Sequence, residues 1–254
     1  MNSGTRRADR FADDHRSETQ AVILAGGLGT RMRPITETIP KPMIAVAGKP
    51  FLQYQLELLT GSGIGRALLL VAYLGEQIQQ YFGGGDKFGC NISYSFESSP
   101  LGTGGALRNA EAQLQDYFVL VNGDTYLAID YRALLEDFQK ADCAAMIVAY
   151  KKPEGASQSV PASLLPANLG VSQDGAVTAY RKRNPEGLSH IDAGVIVLRK
   201  EILARLPAGQ KCSLEEEIYP QLIAQGEMRA WVTLEPFFDM GSPAGLAALE
   251  EKLG

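Results

Sequence analysis

The chain predicts an α/β fold: a mostly parallel mixed sheet covered by helices on both faces, with a small antiparallel layer beside it. Three observations carry that assignment. Apolar runs of strand length at Ala67–Ala72, Phe118–Val121 and Ala144–Tyr150 are continuous instead of alternating, which is how strands buried on both faces read. Helical apolar stripes separate these runs. After Lys151 the pattern changes to short strands around tight turns.

The elements follow in order. An apolar strand opening at Ala21 runs into Gly26-Gly27-Leu28-Gly29. Phe51, Leu52, Tyr54, Leu56, Leu58 and Leu59 form a helical stripe that stops at Gly61-Ser62-Gly63. The buried strand Ala67–Ala72 precedes a short helix, Glu76–Phe82, the strand Ile92–Phe96 and a helix from about Gly104 to Leu114. The strand Phe118–Val121, a surface helix over 131–140 and the strand Ala144–Tyr150 continue the alternation. Residues 152–168 read as a polar, proline-bearing loop. Leu169–Val171 and Ala176–Tyr180 pair around Gln173-Asp174-Gly175, and with Ile191–Leu198 they predict an antiparallel layer walling a pocket. Helices recur at about 200–206 and 213–225, then the strand Ala230–Leu234. Ser242-Pro243 opens a last helix with Ser as N-cap and Pro in its first position.

Composition narrows the function classes. A chain of 254 residues suits a single α/β domain over residues 20–254. The polar residues 1–19 lack the apolar core of a signal peptide and read as a disordered arm. A net charge of −5 argues against broad nucleic-acid binding, so any polyanion must meet a local cluster of cations. Cys90, Cys143 and Cys212 are odd in number and lack paired metal spacings, which suits reduced thiols in a cytoplasmic protein. No apolar run approaches the roughly 20 residues of a membrane span. A homo-oligomer is compatible with all of this.

The opening loop supplies the cation cluster. Gly26, Gly27 and Gly29 let main-chain N–H groups approach phosphate oxygens, and the helical turn that follows adds its positive end. Arg31 can grip phosphate as a fork and Lys41 adds a point charge. The loop lacks the Gly-Lys-Ser/Thr of a Walker motif and the third glycine of a dinucleotide fingerprint. On its own, Gly-Gly-x-Gly after a strand serves a tight turn as well as a phosphate. Asn122-Gly123-Asp124 then places a carboxylate at the end of a buried strand, where ligands bind in open α/β sheets. Asp239 lies between an apolar strand and a helix start. On spacing alone Asp124 reads equally as a turn or cap residue and as a ligand for a hard cation; the second aspartate weakens the turn reading, since two such carboxylates could bracket one cation.

The stretch from Leu24, Ala25 and the glycines through Thr30, Arg31 and Lys41 resembles the signature of the sugar-1-phosphate nucleotidyltransferases. The resemblance extends over about residues 20–250. It implies a Rossmann-like three-layer sandwich, the nucleotide-diphospho-sugar transferase fold. Its nucleotide-binding part would cover about 20–150, and a sugar-binding part containing the antiparallel layer about 151–254. It also implies that Asp124 and Asp239 hold Mg2+, and that Gly102 and Thr103, in Leu101-Gly102-Thr103-Gly104-Gly105-Ala106, contact the base. That segment looks most like those of guanylyltransferases for mannose or heptose 1-phosphate, which favours GTP.

On the sugar side, the resemblance puts Lys182 on the sugar phosphate and Gly123, Gly170, Arg181, Asp192 and Gly194 around the sugar. Arg181 stands where relatives carry glutamate, and Asp192 where asparagine is common. Glu215-Glu216-Glu217 reads as a solvated helix N-terminus after Ser213, and His190 as a strand-edge residue; neither it nor His15 belongs to a triad. The implied reaction joins GTP and a sugar 1-phosphate into GDP-sugar and pyrophosphate, for capsule, surface-layer or lipopolysaccharide synthesis in a bacterium. D-glycero-D-manno-heptose 1-phosphate is the favoured sugar and mannose 1-phosphate the alternative. A non-catalytic sensor of nucleotide or GDP-sugar would be expected to lack Arg31 or an aspartate of the metal pair, and none is missing.

Overall fold

A computed structural model describes residues 17–153, 165–182 and 187–254. The strands are β1 (Ser17–Leu24), β2 (Ala45–Val46), β3 (Lys49–Pro50), β4 (Ile64–Val71), β5 (Asn91–Phe96), β6 (Tyr117–Asn122) and β7 (Thr125–Tyr126), then β8 (Ala145–Tyr150), β9 (Leu169–Val171), β10 (Val177–Tyr180), β11 (Ile191–Arg199), β12 (Met228–Thr233) and β13 (Phe238–Asp239). The helices are α1 (Phe51–Gly61), α2 (Gly75–Phe82), α3 (Gly102–Asn109), α4 (Tyr131–Lys140), α5 (Tyr219–Ala224) and α6 (Pro243–Leu253).

Seven strands form the central sheet in the order β12-β8-β11-β6-β1-β4-β5. β1 pairs in parallel with both β4 and β6, β4 with β5, and β8 with β12. β11 is antiparallel to β6 and β8, which makes the sheet mixed. Strand side chains alternate between its faces. Ala21, Ile23, Leu69 and Val71 pack with Leu52 and Leu56 of α1, Ile78 of α2 and Leu134 of α4 on one side. Val22, Leu68, Leu70 and Leu120 pack with Ala106 and Leu107 of α3 and Leu222 of α5 on the other. The three-layer sandwich follows from these continuous apolar strands.

Several boundaries differ from the sequence reading. Residues 17–19 belong to β1, where Ser17 pairs with Ile64, and not to the arm; residues 1–16 lie outside the described residues, as do 154–164 of the polar loop. The third helix ends at Asn109, with a separate 3-10 turn at Glu111–Gln113. β11 joins the central sheet, because its apolar residues are needed between β6 and β8, so the small antiparallel layer consists of β9 and β10 alone. The 200–206 segment is a 3-10 turn, and 213–225 divides into a π turn, Leu214–Ile218, and α5. Ser242 caps α6 as read, accepting from the Gly245 N–H at 3.1 Å.

A third, smaller core positions the site. Met32, Ile44, Val46, Phe51, Met240 and Leu249 are buried together, joining the segment after the glycine loop to α1 and α6. Met32 adjoins Arg31 and Met240 adjoins Asp239. Met240→Ala should therefore lower unfolding free energy by about 2–5 kcal/mol in denaturant titration, since deleting a fully buried thioether leaves a void. A loss below about 1 kcal/mol would show that this small core is not structural.

Candidate active site

A cleft of about 510 Å3 opens where the chain leaves β1, β4, β5 and β6. Its floor holds Leu24, Gly26 and Gly27 on one side and Asn122, Gly123 and Asp124 on the other. The loop starts from a fixed base: the Ala25 N–H donates to the Leu70 carbonyl at 2.8 Å, and Gly123 N–H to the Leu24 carbonyl at 3.1 Å. Gly29 adopts φ +58°, and a Cβ there would come within 2.8 Å of the Thr36 methyl. Thr36 in turn donates its hydroxyl to the Gly29 carbonyl at 2.9 Å. The helical turn that follows is only Thr30–Met32, in 3-10 geometry. That is too short for an appreciable helix dipole, so amides and side-chain cations must meet any anion here.

An adjoining hollow of about 220 Å3 is lined by Thr30, Arg31, Lys41, Asp124 and Gly241. Arg31 is exposed, with its guanidinium over Gly241. Lys41 is only 8% exposed and its ammonium lies 2.5 Å from Asp124 Oδ2. The structure brings Asp239 to the same place. β7 pairs with β13 so that Thr125 faces Asp239, and the Met240 N–H donates to the Asp124 carbonyl at 2.8 Å. The Gly241 N–H donates to Asp239 Oδ1 at 2.6 Å. Burial raises the Asp239 pKa, and the like charge of Asp124 raises it further, against Lys41 and Arg31. Among the described residues no group of three or more His, Cys, Asp or Glu side chains is placed to hold a metal. The aspartate pair nevertheless suits Mg2+, which commonly takes one or two carboxylates and fills its other positions with phosphate and water.

The opposite wall is built on Glu215. It accepts from the Ser213 hydroxyl at 2.5 Å and the Thr103 hydroxyl at 2.8 Å, and it pairs with Lys182 at 3.4 Å. Burial alone would raise this carboxyl; those hydrogen bonds and Lys182 hold it below its ordinary value. The solvated reading therefore fails for Glu215 and holds for the exposed Glu216 and Glu217, because the π turn points Glu215 inward while burying Leu214 and Ile218. Gly102 and Thr103 line the cleft. Gly102 has φ +73° and a Cβ would lie 2.5 Å from the Cys212 carbonyl, which also accepts from the N–H groups of Gly104 and Gly105. The second glycine segment is thus a close-packing device as well as a cleft wall.

Strand alternation separates the basic residues. Tyr180 and Lys182 line the cleft, whereas Arg181 between them is exposed and outside the lining; Arg183 lies outside the described residues. Asp192 also lines the cleft and accepts from the Gly194 N–H at 2.9 Å, with Gly194 against Thr125. Burial raises the Asp192 pKa to about 6. Gly170 sits in β9 against Thr178, outside the cleft lining. His190 is buried at a strand edge with Ser189 at 2.7 Å, also outside it, and His15 lies outside the described residues.

Three charged lining residues are not among the site residues that the sequence suggests: Glu97, Lys211 and Glu215. Glu97 immediately follows β5, so the strand-end rule applied to Asp124 also covers it. Its carboxylate accepts the Leu101 N–H at 2.8 Å, and burial raises its pKa. Lys211 and Glu215 carry no comparable signal.

A family model described as nucleotidyl transferase matches residues 20–158, more than half of the chain. The chain belongs to the nucleotidyl transferase family. It is 30% identical over 237 residues to the D-glycero-alpha-D-manno-heptose 1-phosphate guanylyltransferase of Aneurinibacillus thermoaerophilus, covering 92% of this chain and 98% of that one. It is 33% identical over 232 residues to the mannose-1-phosphate guanylyltransferase of Mycobacterium tuberculosis; the match covers 89% of this chain but only 62% of that longer relative. The crystal structure of HddC from Yersinia pseudotuberculosis complexed with GMP-PN superposes with a TM-score of 0.78 at 30% identity, over 93% of this chain and all of that one. No helix among the described residues of this nucleotidyl transferase is long and apolar enough to cross a membrane.

Asp192 gives the nucleotidyl transferase a signed pH dependence. Its folded pKa of about 6 exceeds the ordinary 3.8, so the ionised carboxylate opposes folding above pH 6 and this cost fades as pH falls toward 4. Asp192→Asn should be more stable than the parent by about 1–3 kcal/mol at pH 8 and equal to it near pH 4. Denaturant unfolding across that range checks this; a gap that widens on acidification would refute it.

Proposed function

We propose that this nucleotidyl transferase moves a guanylyl group from GTP to a sugar 1-phosphate, giving GDP-sugar and pyrophosphate, with D-glycero-D-manno-heptose 1-phosphate as the sugar substrate. The observation that carries this is one cleft with two chemistries. Arg31, Lys41 and Asp124 line the hollow at one end, with Asp239 beside them, while Lys182, Asp192 and Glu215 line the other wall. Similarity to the heptose 1-phosphate guanylyltransferase over nearly its full length supports the choice of sugar. Similarity to the mannose-1-phosphate enzyme keeps mannose 1-phosphate as the second candidate. The product would supply bacterial surface polysaccharide synthesis from the cytoplasm.

In this reading a phosphate oxygen of the sugar 1-phosphate attacks the α-phosphorus of GTP in line. The new oxygen–phosphorus bond forms as the bond to the β-phosphate oxygen breaks, and pyrophosphate leaves with both electrons. No protein nucleophile is required, since the attacking oxygen is already anionic. The exposed Arg31 fork holds the departing pyrophosphate, and Lys41 holds Asp124 in place while adding positive charge. Lys182 holds the sugar phosphate, exchanging its Glu215 partner for the phosphate oxygens. Asp192 and Glu215 accept hydrogen bonds from sugar hydroxyls. The amides at Gly26 and Gly27 lie on the triphosphate path, and Gly102 and Thr103 flank the base. Asp124 and Asp239 would hold Mg2+, which neutralises phosphate charge when bound. Catalysis is then positioning and charge neutralisation.

Glu97 supports guanine. A carboxylate accepts two parallel hydrogen bonds from the N1–H and 2-amino groups of guanine. Uracil and thymine offer one N–H between two carbonyls, and adenine sets an acceptor beside its amino group, so both leave oxygen facing a lone pair. Glu97→Gln should lower the preference for GTP over inosine triphosphate about tenfold, because inosine lacks the 2-amino donor. An unchanged preference would remove Glu97 from base reading.

Pyrophosphate release measured with four nucleoside triphosphates against heptose and mannose 1-phosphates tests the reaction directly. GTP with heptose 1-phosphate should be fastest; faster turnover with mannose 1-phosphate would reassign the sugar, and no release from any pair would refute the activity. Arg31→Ala should depress turnover about 100- to 1000-fold while leaving the unfolding midpoint unchanged, because the side chain is exposed.

A further inference from the structure

α1 carries an anomaly in its buried stripe. Leu52, Leu56 and Leu59 face the core at helical spacing, and Gln55 shares that face at 2% exposure. A leucine or methionine would fill the same volume without burying an amide, which is costly unless its hydrogen bonds are made. Gln55 makes two. Its Nε2 donates to the Asn122 carbonyl at 2.8 Å and to the Thr125 carbonyl at 2.7 Å. Two carbonyl oxygens facing the same terminal atom require that atom to be the nitrogen. The Oε1 on the other side is buried with no hydrogen-bond partner among the described residues. Half of this amide is thus satisfied and half is not, so the residue is poorly explained by core stability alone.

The two carbonyls bracket the Gly123-Asp124 turn, one ending β6 and the other opening β7. Thr125 is also the residue registered with Asp239 across the β7–β13 pair. One NH2 group therefore sets the span of the turn that presents Asp124 and anchors the strand against which Asp239 is aligned. The lower part of the turn is held by Gly123 N–H on the Leu24 carbonyl, and its far side by Met240 N–H on the Asp124 carbonyl. Neither of those bonds joins both ends of the turn; Gln55 does.

We propose that Gln55 is a positioning residue for the Asp124–Asp239 pair, setting the separation of the two carboxylates and hence the affinity of the site for a divalent cation. The inference rests on the reading of those aspartates as metal ligands. Gln55 touches neither substrate nor ion; it acts by fixing the backbone on both sides of Asp124, as outer-shell hydrogen bonds orient a metal ligand.

The test measures Mn2+ binding by electron paramagnetic resonance on the full chain with a non-hydrolysable GTP analogue. Gln55→Met, nearly the same shape without the donors, should weaken Mn2+ about tenfold and raise the Mg2+ concentration for half-maximal turnover by the same factor. Analogue affinity in EDTA should change less than about twofold, and excess Mg2+ should restore most of the turnover. Leu56→Ala on the same helix is the control for general loosening and should lower the unfolding midpoint with Mn2+ affinity intact. Gln55→Asn, too short to span both carbonyls, takes the place of the Met variant if that fails to fold and should give the same loss. Parental Mn2+ affinity in the Gln55 variant, or an equal loss in Leu56→Ala, overturns the inference. Asp124→Asn and Asp239→Asn test the underlying reading: if they leave Mn2+ binding intact, the metal assignment itself is wrong. If they abolish it while the Gln55 variant binds normally, only the role of Gln55 falls.

Discussion

Two carboxylates meet at the mouth of the cleft, and like charges brought together repel unless cations and fixed donors come with them. Much of the surrounding architecture answers that repulsion. Lys41 gives up its solvation to sit 2.5 Å from Asp124, and Arg31 lies over Gly241 beside Asp239. The Gly241 N–H and the β7–β13 pair hold the second aspartate in its turn. Met32 and Met240 anchor the segments carrying Arg31 and Asp239 in one small core.

The parallel part of the sheet explains why the site is at this edge. Strands β1, β4, β5 and β6 all release their chains at the same end, so glycine turns and strand-end carboxylates accumulate there while the apolar strands stay packed on both faces. The opposite wall is tied to this scaffold through the Cys212 carbonyl, which receives two N–H groups from α3, and through Glu215, which links Thr103 to Lys182. Thr103 of α3 and Lys182 after β10 therefore share one carboxylate on this wall.

Legibility in the sequence tracked how local the physical cause was. Continuous apolar strands, the glycine loop, the strand-end Asp124 and the Ser242-Pro243 helix start are each decided by neighbours within a few residues, and each stands where the sequence puts it. Glu97 obeyed the same strand-end rule without being read. β11 was misplaced because an apolar strand of nine residues suits a small layer and a central sheet equally well; only the vacancy between β6 and β8 decides.

The sequence alone determined the α/β class, the nucleotidyl transferase resemblance and the cations and carboxylates available to the site, because spacing and composition encode periodicity and residue chemistry. Tertiary structure decided which of them meet. Asp124 and Asp239 converge through a strand pair linking segments far apart in the chain. Glu215 leaves its two glutamate neighbours for the cleft because a π turn rotates it inward. Arg181 stays outside because strand alternation gives the cleft Tyr180 and Lys182 instead. Each outcome depends on long-range packing, which fixes directions that no local pattern records.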